Sequence, residues 1–160
     1  MISISHSSRV SNAGEDRDVI GSGSMLIVGA VLSALAALLH VGCIVFGAPW
    51  YRFFGAGEEM ARMAEAGRWR PTIITSGITL VLLLWALYAL SGANVISRLP
   101  LLRVGLCVIT AVYLLRGLAL IPVLIWMPAQ NTAFLWWSSL ICLGFGVTHA
   151  IGVWQAWDRL

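Results

Sequence analysis

Four long apolar segments dominate this sequence of 160 residues. A helix of about twenty apolar residues spans the roughly 30 Å hydrocarbon core of a bilayer. The chain is 59% hydrophobic and 11% charged, whereas a soluble domain is about 25% charged. We therefore predict an all-α fold, a bundle of four transmembrane helices over about residues 25–48, 71–92, 100–126 and 133–157.

An even number of spans leaves both ends of the bundle on one face, named side A here; the 51–70 loop and the 127–132 turn lie on the other face, side B. Arginines near the spans are similar in number on the two faces, so the positive-inside rule leaves the orientation open. All ten basic residues are arginine, which is typical of a GC-rich bacterial genome. We expect a multi-pass protein of a bacterial inner membrane with side A in the cytoplasm.

Residues 1–24 form a polar N-terminal tail that lacks the charged start and apolar core of a signal peptide. The GSGS stretch before Met25 is typical of a linker, and Met25 is a natural start, so the alternative that this tail is not native stays open. We therefore look for functional residues only from Met25 onward.

Arg116 is the most informative residue, because it lies near the middle of the third span. A charged side chain there costs at least about 2.5 kcal/mol, so a partner or a polar cavity is expected. No Asp or Glu lies in any predicted span. The glutamates of the 51–70 loop are the better candidates for its counter-ion, and snorkelling to the interface is the alternative.

The 51–70 loop is predicted to contain a turn at residues 55–57 and a short amphipathic helix over about residues 58–66. Glu58, Arg62 and Glu65 share one stripe of that helix, opposite an apolar face of Met60, Met63 and Ala64. Such a helix lies in the interface or covers the bundle mouth. The flanking arginines stand beside aromatic residues and are predicted to bind phospholipid headgroups: Arg52, Arg68 and Arg70.

Helical rise places several polar residues of different spans at similar depth, about 12 to 15 Å below side B. They are His40, Thr79, Arg116 and Cys142, with Ser138 above this layer and Tyr113 just below it. Together with Glu58 and Glu59 of the loop they form the predicted ligand-binding set. The alternative is that these residues only pack the helices together.

Two histidines within the spans raise the alternative of a haem b with two axial ligands. His149 should lie roughly 10 to 14 Å deeper than His40, too far apart for one iron. The three cysteines form no CxxC pair, and no motif of a hydrolase or phosphate loop is present. We expect no cofactor and no metal, and we leave catalytic residues unassigned. We expect membrane lipids rather than nucleic acid as partners, with a homo-oligomer left open.

The stretches YRFFGAGEEMARMAEAG and AVYLLRGLALIP resemble segments of small bacterial inner-membrane proteins. In layout the chain is similar to small four-helix proteins of the DoxX type. This resemblance covers much of residues 25–157 and implies a four-helix fold; it carries no activity and no site residue.

The favoured hypothesis is a membrane protein that binds or transports a lipid or small amphiphile in a pocket around Arg116. Two alternatives stay open. One is a membrane-embedded enzyme or haem protein that uses His40, and the other is a structural or oligomerising subunit.

Overall fold

A computed structural model of the chain describes the backbone of residues 5–126 and 133–160, and the side chains of residues 23–126 and 134–160. Its regular elements are helices: α1 (Ser5–Phe46), α2 (Ala48–Phe53), α3 (Glu58–Glu65), α4 (Arg70–Gly92), α5 (Leu102–Leu118), α6 (Leu120–Trp126), α7 (Ala133–Ala156) and a 3₁₀ turn (Trp157–Arg159).

Four stretches of helix are long and apolar enough to cross a membrane, which confirms the predicted four-span bundle. They are Gly23–Phe46, Arg70–Gly92, Leu102–Trp126 and Phe134–Arg159, with mean hydropathies of 2.3, 2.2, 2.2 and 1.5. The backbone of α1 also continues as a helix to Ser5, through most of the segment predicted as a tail. The turn predicted at residues 127–132 lies outside the described residues.

The third span is two helices, whereas the sequence predicted one, and it begins at Leu102 rather than at residue 100. Proline lacks the backbone N–H that a helix needs, so Pro122 leaves the carbonyl of Leu118 without its usual donor. The helix breaks at Ala119 accordingly, and the next backbone bond, from Val123 to Ala119, is long at 3.4 Å. Arg116 therefore lies in the last turn of α5, next to an irregular backbone segment.

The four spans form a ring in which neighbours differ in how closely they pack. Helix α1 packs along both α4 and α7, and α5 packs along α7. Helices α4 and α5 follow each other in the chain, as predicted for antiparallel neighbours, but they touch over a much shorter length. The ring is therefore loosest between α4 and α5.

Buried apolar residues fill the bundle in three layers along its axis. The layer at side A contains Leu26, Leu102, Leu106, Val153, Ala156 and Leu160. The middle layer contains Ala37, Leu82, Ile109 and Tyr113. The layer at side B contains Cys43, Ala48, Tyr51 and Ala61, so three residues of the 47–70 segment contribute to the core.

The chain turns sharply at Gly47, where a φ of +68° ends α1 and favours glycine. Trp50 of α2 then folds back onto Gly42, whose missing side chain leaves room for the indole ring. The Tyr51 hydroxyl shares a 3.0 Å hydrogen bond with Thr75 Oγ1 on α4. The predicted amphipathic helix is α3, which docks through fully buried Ala61.

Candidate functional site

A groove of about 420 Å³ lies where α4 and α5 pack loosely, a size within the roughly 300–1,000 Å³ of small-ligand sites. We call it the α4–α5 groove. Its walls are almost wholly apolar, and Gly77 on α4 has no atom near the place where a Cβ would stand, which widens it. The lining residues are Ile74, Gly77, Ile78, Val81, Leu82 and Trp85 of α4, Val112, Tyr113 and Arg116 of α5, and Cys142 of α7.

Arg116 contributes to this groove and reaches from α5 across to α7. Its Nη2 donates to Ser138 Oγ at 3.0 Å and its Nη1 donates to Ser139 Oγ at 3.2 Å. Both acceptors are neutral hydroxyls, so the bonds fix the position of the guanidinium without neutralising its charge. A guanidinium has five N–H donors, and these bonds use two of them.

The close approach of α5 and α7 brings Arg116 to the serines. Gly117 lies against the backbone of Leu143, and a Cβ on Gly117 would stand 2.7 Å from that backbone nitrogen. Small residues at such crossings allow transmembrane helices to approach closely. Gly146 repeats the pattern on α7, where it packs against Leu114.

The loop glutamates are not the counter-ion of Arg116, so that part of the sequence prediction is wrong. Glu58 and Glu65 instead bind Arg52, at 2.9 and 2.6 Å. These hydrogen bonds lower the pKa of both carboxyl groups and raise the pKa of Arg52. The predicted pair of Glu58 and Arg62 also forms, at 3.4 Å, because the two residues are one helical turn apart.

Arg116 takes part in none of the ion pairs formed by the described side chains. Glu59, the third candidate counter-ion in the predicted set, is exposed on α3. Among the described side chains, only the hydroxyl groups of Ser138 and Ser139 thus bind the Arg116 guanidinium.

Tyr113 joins the groove to the centre of the bundle. Its hydroxyl shares a buried 3.0 Å hydrogen bond with Ser33 Oγ on α1. Its ring makes edge contacts with Trp85 of α4 and Phe145 of α7, at centroid distances of 4.8 and 5.4 Å. One side chain therefore contacts all three other spans, because Tyr113 packs where the four spans meet.

His149 of α7 lies beside Tyr113, with ring centroids 5.2 Å apart, and is fully buried. Its Nδ1 is 2.9 Å from the carbonyl oxygen of Phe145, so Nδ1 carries the donated proton. In the neutral ring Nε2 is then an acceptor, and it has no hydrogen-bond partner among the described residues. Its ring packs directly on Gly29 of α1, where a side chain would collide with it.

The structure separates the predicted ligand-binding set into two groups. Arg116, Tyr113 and Cys142 line the groove, and Ser138 binds Arg116. Thr79 is not a lining residue: it lies on a buried face of α4 and donates to the carbonyl of Thr75. His40 is half-buried on α1, where its Nδ1 donates to the Ala36 carbonyl at 2.7 Å.

The two histidines are far apart along the bundle. The His149 ring contacts Gly29, and His40 follows eleven residues later on the same helix, which corresponds to about 16 Å of helical rise. They cannot be the two axial ligands of one haem iron in this arrangement. Among the described residues, no three His, Cys, Asp or Glu side chains are grouped closely enough to hold a metal ion.

Sequence reasoning did not identify Gly77 and Trp85 as groove residues, nor His149 as a neighbour of Tyr113. Helix rotation decides which side chains meet, and apolar residues all round a span leave that rotation weakly specified. A glycine inside a strongly apolar span was the available signal for Gly77, because a mid-helix glycine has a cost that packing or function must offset.

No protein-family model, curated protein or solved structure matches this chain. The function proposed below is accordingly argued from the residues of the α4–α5 groove and their contacts.

Proposed function

We propose that this four-span membrane protein binds an anionic amphiphile, a lipid or a smaller molecule with one apolar tail, in the α4–α5 groove. Arg116 binds the anionic head, and the apolar walls of the groove accept the tail. The observation that carries the proposal is a guanidinium inside a span that is held by two serine hydroxyls and by no carboxylate among the described residues.

Charge is the first support for this proposal. An uncompensated cation in hydrocarbon is unfavourable by several kcal/mol, and the described protein groups near Arg116 are neutral. Three of its five N–H donors are free of described partners. A carboxylate or phosphate head would satisfy them with charge-assisted hydrogen bonds, which are about twice as strong as neutral ones.

The shape of the groove is the second support. It opens between two spans, so an amphiphile enters sideways from the bilayer without crossing water. Gly77 widens the wall of α4 in this groove, whereas Ile78 and Val81 give it an apolar surface. Tyr113 and Trp85 bring aromatic rings to the same surface.

We assign the protein to a bacterial inner membrane, with both ends of the four-span domain in the cytoplasm. The use of arginine for every basic residue supports the bacterial source. The polar segment before the first span supports a cytoplasmic side A, because a polar segment stays inside more easily than it crosses the membrane.

A structural role is the second candidate, because the same two serine bonds tie α5 to α7. In that case Arg116 serves only to connect α5 to α7. Bilayer lipids then fill the groove without preference for a charged headgroup. Binding measurements on groove variants separate the two functions.

The experiment uses native mass spectrometry of the purified protein with added fatty acid, alkyl phosphate and uncharged monoacylglycerol of equal chain length. We expect the two anions to be retained and the uncharged lipid to be lost. The preferred anion distinguishes a carboxylate from a phosphate head. Arg116→Leu should lower anion retention at least tenfold, because it removes the charged donor.

Gly77→Leu tests the groove independently of the charge. A leucine side chain would fill the notch at Gly77, so anion retention should fall while Arg116 stays intact. Gly144→Leu is the matched control, because Gly144 on α7 also has open space at its Cβ position but does not line the groove. Equal retention in all four proteins would overturn binding at Arg116 and favour the structural role.

A further inference from the structure

The two faces of the bundle compensate their arginines differently. At side B, Arg52 is bound by Glu58 and Glu65, and Arg62 is bound by Glu58. Two of the four arginines of the 51–70 segment are therefore paired with acidic side chains, whereas Arg68 and Arg70 form none of the described ion pairs. This pairing occupies the Arg52 guanidinium, one of three groups that the sequence assigned to lipid headgroups.

At side A, three arginines surround the last turn of the chain. Arg103 of α5 donates to the carbonyl of Trp157 at 3.2 Å, and its guanidinium lies over the indole ring of that residue, 5.5 Å from the ring centroid. Arg98 of the α4–α5 connection donates to the backbone oxygen of Leu160. Arg159 belongs to the same turn and lies between Trp157 and Leu160 in the sequence.

None of the described ion pairs with an acidic side chain involves an arginine of side A. Asp158 is the one acid at this face among the side chains that the structure describes, and it forms none of the described ion pairs. Arg98 uses its described hydrogen bond on a main-chain oxygen of Leu160, and Arg103 uses its own on the carbonyl of Trp157. Nη2 of Arg159 is enclosed and has no hydrogen-bond partner among the described residues.

Exposed aromatic and aliphatic side chains surround this cationic group. Trp154 is 79% exposed, Leu101 is 77% exposed and Trp157 is 47% exposed. Tryptophan is enriched at the level of the lipid headgroups, with its ring beside the first acyl carbons. We therefore expect the arginines of side A to lie at the level of the headgroup phosphates.

We propose that Arg98, Arg103 and Arg159 form a binding site for the phosphodiester headgroup of an anionic phospholipid at side A. Basic clusters at the ends of transmembrane helices bind such headgroups. The bonds to Trp157 and Leu160 hold two guanidinium groups beside the last turn, and their remaining donors have no described partner. Trp154 and Trp157 pack against the acyl chains of the bound lipid.

The test compares the full chain in nanodiscs of phosphatidylcholine with and without phosphatidylglycerol. Thermal unfolding and native mass spectrometry should show stabilisation by phosphatidylglycerol and retention of at least one such lipid. Replacing all three arginines (R98Q, R103Q and R159Q) should weaken that retention by roughly fivefold per arginine. High salt should weaken it as well, because the attraction is electrostatic.

The control removes one charge at side B, in R62Q, whose arginine is paired with Glu58, and is compared with the single variant R159Q at side A. This control should keep the phosphatidylglycerol retained by the wild type; a loss equal to that of the side A variant would overturn the proposal. If the triple variant fails to fold, R159Q alone tests the site. Arg159 makes none of the described bonds that hold the last turn, so this single variant should fold. Unchanged retention in R159Q, or equal retention of free inorganic phosphate by wild type and variant, would also overturn the site.

Discussion

Arg116 Nη2 donates to Ser138 Oγ over 3.0 Å and so links the third span to the fourth inside the membrane. Ser139 accepts a second bond from the same guanidinium. The pair of serines holds the cation in place while leaving its charge unbalanced. This combination of fixed position and unbalanced charge is the basis of the proposed binding site.

Replacing both serines by alanine should weaken anion binding and reduce stability modestly. Hydrogen bonds between transmembrane helices contribute about 0.6 kcal/mol on average, so a loss of about 1 kcal/mol is expected for the pair. Reversible unfolding in mixed micelles measures the stability, and native mass spectrometry measures the binding. Thr148→Ala is the control, because Thr148 bonds only to the carbonyl of Gly144 on its own helix. Unchanged binding in the double variant would contradict a positioning role for the serines.

The fold could be predicted from the sequence because span length and hydropathy depend on the bilayer rather than on particular contacts. The predicted helix of the 51–70 loop is confirmed as α3. Its signal was local in the sequence: Gly57 stands just before the helix, and Glu58 and Arg62 are spaced by one helical turn. The break at Ala119 was missed, although Pro122 provided the signal. Proline within a transmembrane helix is tolerated often enough that it does not by itself predict a break.

The candidate site was harder to predict, because depth along a helix follows from counting but rotation does not. Counting placed Arg116, Thr79 and Cys142 at one level. Thr79 nevertheless belongs to the buried face of α4, whereas Gly77, two residues earlier, lines the groove. The counter-ion was predicted wrongly because Glu58 and Glu65 both bind Arg52 of the neighbouring helix α2.

Replacing His149 by leucine should leave stability unchanged or raise it. Nε2 is a buried acceptor without a described partner, and removing such a group avoids a desolvation cost of about 1–3 kcal/mol. Unfolding in mixed micelles measures the difference. A loss above about 2 kcal/mol would contradict the prediction and would indicate that Nε2 has a partner in the membrane.

Gly117→Ala should destabilise the bundle by about 1–3 kcal/mol, the usual cost of overpacking. The added Cβ would stand 2.7 Å from the backbone nitrogen of Leu143, which cannot rotate away. Gly144→Ala is the matched control on α7, where the space is open and alanine favours a helix. The comparison uses the same unfolding assay. Equal stability of the two variants would contradict the close approach of α5 and α7.

The contact between α2 and α3 should weaken at acidic pH. Hydrogen bonds from Arg52 lower the pKa of Glu58 and Glu65 below the usual value of 4.5. The ion pairs are therefore complete above pH 4.5 and are lost as the pH falls through the lowered pKa values. Spin labels on α2 and α3 should report a constant distance from pH 8 to pH 4.5 and a wider distribution only below pH 4.5. Arg52→Gln should show the wider distribution at neutral pH.

That distance experiment has a clear contrary result. A distribution that widens near neutral pH would contradict the lowered pKa values, because both carboxyl groups are ionised there. An unchanged distribution in Arg52→Gln would show that Ala61 and Tyr51 hold α3 without help from the ion pairs.

The most direct test of the proposed function is the distance between the guanidinium of Arg116 and the head of the bound amphiphile. Solid-state NMR can measure dipolar coupling between ¹⁵N-labelled arginine and an amphiphile labelled with ¹³C in its carboxylate or observed through ³¹P in its phosphate. The account predicts a coupling that corresponds to hydrogen-bond distance and disappears in Arg116→Leu. A coupling of the same strength in that variant, or no coupling in the wild type, would contradict it.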